Sequence, residues 1–478
     1  MRCRTRFGGF LATSLGLALA LVLTAGNAEA QSPPAAPETI PLGDWQIAPT
    51  LQIRTRGEYR HDPVEMGGRD LAGNDNPRIR NAYLVFERTR VGLGAERGAL
   101  RAQVTLQDSH AWGDRFSAGD GGFGQLGAYE AWAEARTSAA RPSWIRIGRQ
   151  AVTWGDGRLI GNADWHPIAR SLDAVRGHLA LGPFEIEALA SLLDLPQPSS
   201  PAFANRFGPE ITGTQLYGVT AAWPLDPLLK LELTELLRVA RTGVGVSRFE
   251  TARASGETFT TSLRASGDGR GWKYSVEGAY QHGTATSLAP GGLDRSAYAL
   301  AGRVGRTFDT VVLSPTLTAL GSYASGDDGT GSTYTQFDPI LPDVHLHHGA
   351  MDLFSWSNLM DVGGKLSLVP WTDTQLGFEY RYATLANGRG EWLNAYLAPV
   401  ARPNANAEKD LGHELDVVFA WQPWVPLDLR AGWSTLLLGD GARTAAAGQA
   451  RGFNNGNGTY APARFSHLAY LQATLSVP

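Results

Sequence analysis

The feature that most constrains this chain is a period of two. From Leu51 onward, apolar and polar residues alternate in segment after segment. Leu51, Ile53, Thr55 and Tyr59 share one face, while Gln52, Arg54, Arg56, Glu58 and Arg60 share the other. Leu100, Ala102, Val104 and Leu106 oppose Arg101, Gln103, Thr105 and Gln107. The same holds for Trp272, Tyr274, Val276 and Tyr280 against Lys273, Ser275, Glu277 and Gln281, and for Leu376, Phe378, Tyr380 and Tyr382 against Gln375, Glu379 and Arg381. Successive strand side chains point to opposite faces, so each segment presents one apolar and one polar wall.

Such segments start near 51, 80, 100, 126, 143, 172, 184, 214, 228, 257, 271, 296, 314, 362, 373, 411, 426 and 464, which predicts about eighteen strands. Their lengths suit the ~9–11 residues with which a tilted strand crosses a hydrocarbon core. Short gaps alternate with long ones, the asymmetry of outer-membrane barrels with short periplasmic turns and long external loops. Trp421 with Trp424, and Trp356 with Trp371, are placed at segment ends as interfacial girdles. A water-soluble sandwich or propeller would also alternate. Uniformly long segments, aromatic-rich apolar faces and the lack of a fixed-length repeat favour the membrane barrel. Glycine agrees: 57 of 478 residues is far above ordinary usage, and each Gly inside a helix costs about 1 kcal/mol relative to Ala. The reading is all-β, a single transmembrane antiparallel barrel of about eighteen strands, porin-like.

The N-terminus reads as an address. Three Arg within Met1–Arg6, an apolar stretch from Phe10 to Ala25 and Ala28-Glu29-Ala30 form the three-part pattern of a secretory signal peptide. Cleavage is expected near Ala30/Gln31, followed by a Pro-rich lead-in over 31–48 and the barrel over 49–478. Cys3, the chain's sole cysteine, leaves with the signal, which excludes disulfides, thiolate metal sites and a lipid anchor on the mature chain. The mature chain carries a net charge of −6, a poor balance for binding nucleic acid. Cell outer membrane is the predicted location, with its lipids and lipopolysaccharide as surroundings.

Several ordered blocks carry a family resemblance. Ile147-Gly148-Arg149-Gln150 is followed by Trp154-Gly155-Asp156-Gly157-Arg158-Leu159-Ile160-Gly161, by Asp164-Trp165, and by Arg170-Ser171-Leu172-Asp173-Ala174-Val175-Arg176. Gln107-Asp108-Ser109 precedes them. Ser325-Gly326-Asp327-Asp328, Phe337-Asp338-Pro339, Trp356-Ser357-Asn358-Leu359 and Leu411-Gly412-His413-Glu414-Leu415-Asp416 follow. Together they resemble the alginate export family of outer-membrane barrels over roughly residues 50–475. Pro167 and Leu172 depart from its pattern, as does the end at Leu475-Ser476-Val477-Pro478. The resemblance implies export of an anionic polysaccharide through an Arg-lined constriction.

Of the 42 basic residues 38 are Arg, an excess that fits that picture and equally fits a GC-rich coding bias. Charge facing lipid at mid-membrane costs about 2–4 kcal/mol, so Arg54, Arg56, Arg60, Arg146 and Arg381 are expected to face the lumen. Arg149, Arg158 and Arg176, in the family blocks, complete the candidate pore lining, with Glu58 and Asp173 as acidic partners. Guanidinium groups pair bidentately with carboxylates, which suits a uronate polymer. The same groups could instead form a structural lattice with lumenal acids, and both can hold at once.

No cofactor or metal is expected. His345, His347 and His348, near Asp343 and Asp352, read as part of a solvated loop, while the wider 325–356 segment reads as external or lumen-folding. Gly326–Gly331 lacks the alternating carboxylates of a calcium loop. Asp108, His110 and Asp114 have no accompanying GxSxG elbow, so a barrel lipase is disfavoured and no enzyme is predicted. The function reading is a polyuronate export channel, expected to be a monomer and to work with periplasmic secretion proteins. The alternative is a general or small-anion uptake porin.

Overall fold

The computed structural model describes residues 39–61, 81–113, 126–194, 213–241, 255–285, 292–401, 408–444 and 464–477. The signal segment and its cleavage site lie outside these. Eighteen long strands run in chain order: β1 Trp45–His61, β2 Asn81–Arg97, β3 Leu100–Gly113, β4 Gly127–Arg136, β5 Trp144–Gln150, β6 Leu172–Leu181, β7 Phe184–Asp194, β8 Thr214–Asp226 and β9 Leu229–Arg241. The series continues with β10 Ser255–Gly269, β11 Trp272–Ala285, β12 Leu293–Thr307, β13 Thr316–Ala324, β14 Leu359–Leu368, β15 Thr374–Leu385, β16 Asp410–Trp424, β17 Leu427–Leu438 and β18 Phe465–Val477. Each pairs antiparallel with the next, and β18 returns to β1 with Val477 opposite Leu51, closing the barrel. Closure leaves no strand edge in the hydrocarbon, where an unpaired backbone group is costly.

Strand starts fall within a few residues of those expected, except that β1 begins six residues early, at Trp45. Ile40–Leu42 folds back on its first residues as a short hairpin within the expected lead-in. No helix among the described residues is long and apolar enough to cross a membrane. The short turns all lie at one end of the barrel, the periplasmic end by the loop asymmetry.

The faces divide as the alternation predicts. Leu263, Ile147, Val362 and Leu471 point outward and are well exposed, whereas Arg54, Arg56, Glu58 and Arg381 point inward and are buried. Trp421 and Trp424 are exposed at the periplasmic rim, as a girdle requires. Trp356 is different: it is 1% exposed and sits in the lumen, stacked edge-on against Phe337. The reason is that the barrel's hydrophobic core is inside it. In the external half, the inward positions of the wall turn apolar (Leu189, Leu216, Leu236, Ala297, Ala299), and Trp154, Leu159, Ile160, Phe337 and Trp356 from two inter-strand loops pack on them. A second cluster joins Met351, Leu353 and Phe354 to Leu411, Leu436 and Leu468 of the wall.

Candidate functional site

Two long connections fold into the lumen: residues 151–171, between β5 and β6, and residues 325–358, between β13 and β14. They are joined to each other by a parallel bridge of Ile160 with Leu341. Gly161 N donates to Leu341 O at 2.8 Å, Leu341 N to Leu159 O at 3.0 Å, and Asp343 N to Gly157 O at 2.7 Å. Arg170 Nη1 clamps the junction through Gly161 O, Leu341 O and Pro342 O. Gly161 permits this approach, because a Cβ there would lie 2.6 Å from the Asp343 Cβ and 2.7 Å from its N. Trp165 stacks on His345 at 3.6 Å, a second link between the loops. The 386–401 segment covers them, with Trp392 Nε1 donating to Leu353 O at 2.7 Å and Ala395 N to Asp352 O at 3.0 Å.

The wall holds the first loop by its backbone. Arg54 Nη1 donates to Asp164 O at 2.6 Å, Arg56 Nη1 to Trp165 O at 2.8 Å, and Arg54 Nη2 to His166 O at 3.1 Å. Ser109 Oγ donates to Pro167 O at 3.1 Å and Gln107 Nε2 to Ile168 O at 2.8 Å. Five consecutive carbonyls are thus taken by side chains of β1 and β3, which explains why Gln107-Asp108-Ser109 and Asp164-Trp165 occur together. Ala163 and Ala169 bracket the held segment at φ 51° and 62°, a left-handed conformation that costs a residue with a Cβ about 1–2 kcal/mol each.

The Asp164 side chain is held as well. Arg88 Nη1 lies 2.9 Å from Oδ1, Arg90 Nη1 3.0 Å from the same oxygen, and Arg54 Nη1 3.6 Å from Oδ2. Burial works against this carboxylate, yet Arg88, Arg90 and Arg54 hold its pKa below the ordinary range. Arg54 and Arg88 are direct cross-strand neighbours, an unfavourable like-charge pair unless an anion sits between them. Arg88 and Arg90 escape the sequence reading because alternation in β2 is weak. Its inward Ala82 and Leu84 are apolar and buried like the rest of the upper wall.

The predicted site residues scatter over this lattice. Arg56 and Arg60 both pair with Glu58, at 2.8 and 2.9 Å, and Arg56 stacks over Trp165. Arg146 pairs with Glu134 at 2.6 Å over Trp132, and Arg176 with Glu187 at 2.6 Å. Arg158 lies within the first loop, 3.5 Å from Asp156, and Arg381 pairs with Asp361 and Glu379. Arg149 and Asp173 require a correction. They form a 2.6 Å pair in phase with outward Ile145, Ile147 and Val175, and stand 43% and 54% exposed on the outer face. Arg149 Nε donates to Asp173 Oδ1 at 2.9 Å and Nη2 to Oδ2 at 2.6 Å, so the two outward charges offset each other.

The histidine segment is corrected too: it is not a solvated loop. His347 Nε2 lies 2.8 Å from Asp156 O, and burial followed by Arg158 pushes the pKa of both His347 and His348 well below the usual imidazole range. No His/Cys/Asp/Glu group among the described residues is arranged to hold a metal ion. Across the lumen, β16 takes up the second loop, with Met351 N donating to Glu414 Oε1 at 3.0 Å and Ala350 N to Asp416 Oδ2 at 3.3 Å.

The family model for alginate export matches residues 46–455, nearly the whole barrel. The chain belongs to the alginate export family. Solved structures agree on the fold. From Pseudomonas aeruginosa, OccK9 (OpdG) has a TM-score of 0.54 at 12% identity, with 90% of this chain and 98% of that chain covered. OccK2 (OpdF), crystallised in complex with glucuronate, has a TM-score of 0.53 at 11% identity, covering 90% and 97%. No match was found among curated proteins. This alginate export family member is an outer-membrane transport channel.

Proposed function

We propose that this channel exports an anionic polysaccharide, an alginate-like polyuronate, along the arginine-rich face of β1 and β2. The observation that carries the reading is a charge imbalance. Four guanidinium groups of that face (Arg54, Arg56, Arg88, Arg90) share two carboxylate partners among the described residues, Glu58 and Asp164. Selectivity of a narrow, low-dielectric passage follows its local field rather than the net charge of the protein. Arg146, Arg158, Arg176 and Arg381, each matched to an acid, contribute a lattice that keeps a polyanion from sticking.

One chain encloses one lumen, so a monomer suffices. Polymer would be delivered by periplasmic secretion proteins at the short-turn end, with lipopolysaccharide around the external rim. Planar-bilayer recording tests the reading. Oligouronates should block the current and neutral oligosaccharides of equal size should not. Passage of single uronates without block by their oligomers would instead indicate a small-anion uptake porin.

A further inference from the structure

The contact between Asp164 and the wall has the chemistry of the proposed cargo. A carboxylate sits among three guanidinium groups, followed by a row of carbonyl oxygens each held by a wall donor, much as an extended acidic chain would present its carboxylate and hydroxyl oxygens. Arg88 and Arg54 are almost fully buried, while the Asp164 side chain that binds them is 44% exposed to the lumen. Gln52 Oε1 accepts from Arg88 Nη2 at 2.7 Å and Gln107 Oε1 from Arg90 Nε at 2.7 Å, which fixes both guanidinium groups from behind. Capacity remains unused: Arg88 Nε and Arg90 Nη2 are buried and have no acceptor among the described residues. Arg90 is also stacked over Tyr129 at 3.5 Å, so its plane is set without Asp164.

We propose that Arg54, Arg88 and Arg90 form a carboxylate-binding subsite and that Asp164 is its built-in occupant, displaced by an incoming uronate carboxylate. The inference rests on the export reading above and adds how the resting channel opens. Exchange of one carboxylate for another conserves charge at the subsite, so the like-charged Arg54–Arg88 pair is never left bare. The left-handed Ala163 and Ala169 mark the ends of the segment that swings, since release lets both relax. One loop thereby serves as plug and as competitor.

The test is block of ionic current by glucuronate through the full-length barrel, in wild type and Asp164→Asn. A latch closed about nine-tenths of the time lowers apparent affinity about tenfold, so Asp164→Asn should lower the half-blocking concentration about tenfold. Adding Arg90→Gln should cancel that gain. An unchanged or raised half-blocking concentration in Asp164→Asn, with heat-modifiable mobility intact, overturns the proposal. Arg90→Gln alone covers the case in which Asp164→Asn does not assemble. It should raise resting conductance and weaken glucuronate block together, whereas a merely structural Arg90 would raise conductance with block unchanged, which also overturns the proposal. The two readings separate cleanly. Tighter glucuronate block in Asp164→Asn, with oligouronates blocking neither protein, keeps the subsite and removes polysaccharide export. Oligouronate block of wild type without gain in Asp164→Asn does the reverse.

Discussion

Replacing Gly161 with valine should open the channel without disturbing the barrel. A Cβ at this position meets Asp343 Cβ, N and Cα at 2.6, 2.7 and 2.8 Å, so the two loops must separate by about 0.8 Å to reach an ordinary 3.4 Å contact. That displacement strains the three backbone hydrogen bonds joining them, at Gly161, Leu341 and Asp343. Each is worth about 0.5–1.5 kcal/mol net, and overpacking adds about 1–3 kcal/mol. Of order 3 kcal/mol is therefore removed from loop pairing, more than a hundredfold in the closed-to-open ratio. The eighteen ladders of the wall do not involve Gly161 and keep their register. Single-channel conductance should rise in Gly161→Val while heat-modifiable mobility stays that of wild type. Wild-type conductance in a folded Gly161→Val barrel would refute the claim that pairing of the two loops closes the lumen.

Other perturbations give contrasting outcomes. Trp356→Ala removes a side chain buried in the lumen and should take about 3–5 kcal/mol from the plug, seen as leak, whereas exposed Trp424→Ala should leave conductance unchanged. His347 and His348 are held neutral, so a released loop binds protons that the closed one cannot, and closure should weaken as pH falls below about 6.5. Conductance recorded from about pH 7.5 down to about pH 5 should therefore rise, and His347→Asn/His348→Asn should flatten the curve. Arg149→Gln should leave the reversal potential in a salt gradient unchanged, because that guanidinium faces outward, while Arg90→Gln should shift it toward cations.

Alternation alone was sufficient for the strands, because a membrane barrel repeats one simple rule: every second side chain meets lipid. Even β13, whose alternation is weak, starts at Thr316, two residues from its expected place. The rule fails where the second face meets protein instead of water. Leu189, Leu216 and Leu236 point inward and are apolar because loops pack on them, and no period in the sequence announces a loop that folds back inside. The sequence points Trp356 to the rim for the same reason, since an aromatic beside a strand suits a girdle or a core equally well.

Residue chemistry was legible and partnership was not. That arginines dominate the basic residues, and that those of β1 face inward, follows from sequence; that they hold the backbone of residues 164–168 does not. Arg54 lies 110 positions from Asp164, and only closure of the barrel with the loop inside brings them together. Arg149 shows the limit from the other side. Its phase is that of a lipid-facing residue, and its two-bond pairing with Asp173 on the next strand, which the chain's local pattern does not encode, is what offsets a charge there. Sequence determined the wall, since period and length are local properties of each strand. Tertiary structure decided the plug, since which loops enter the lumen depends on contacts between segments far apart in the chain.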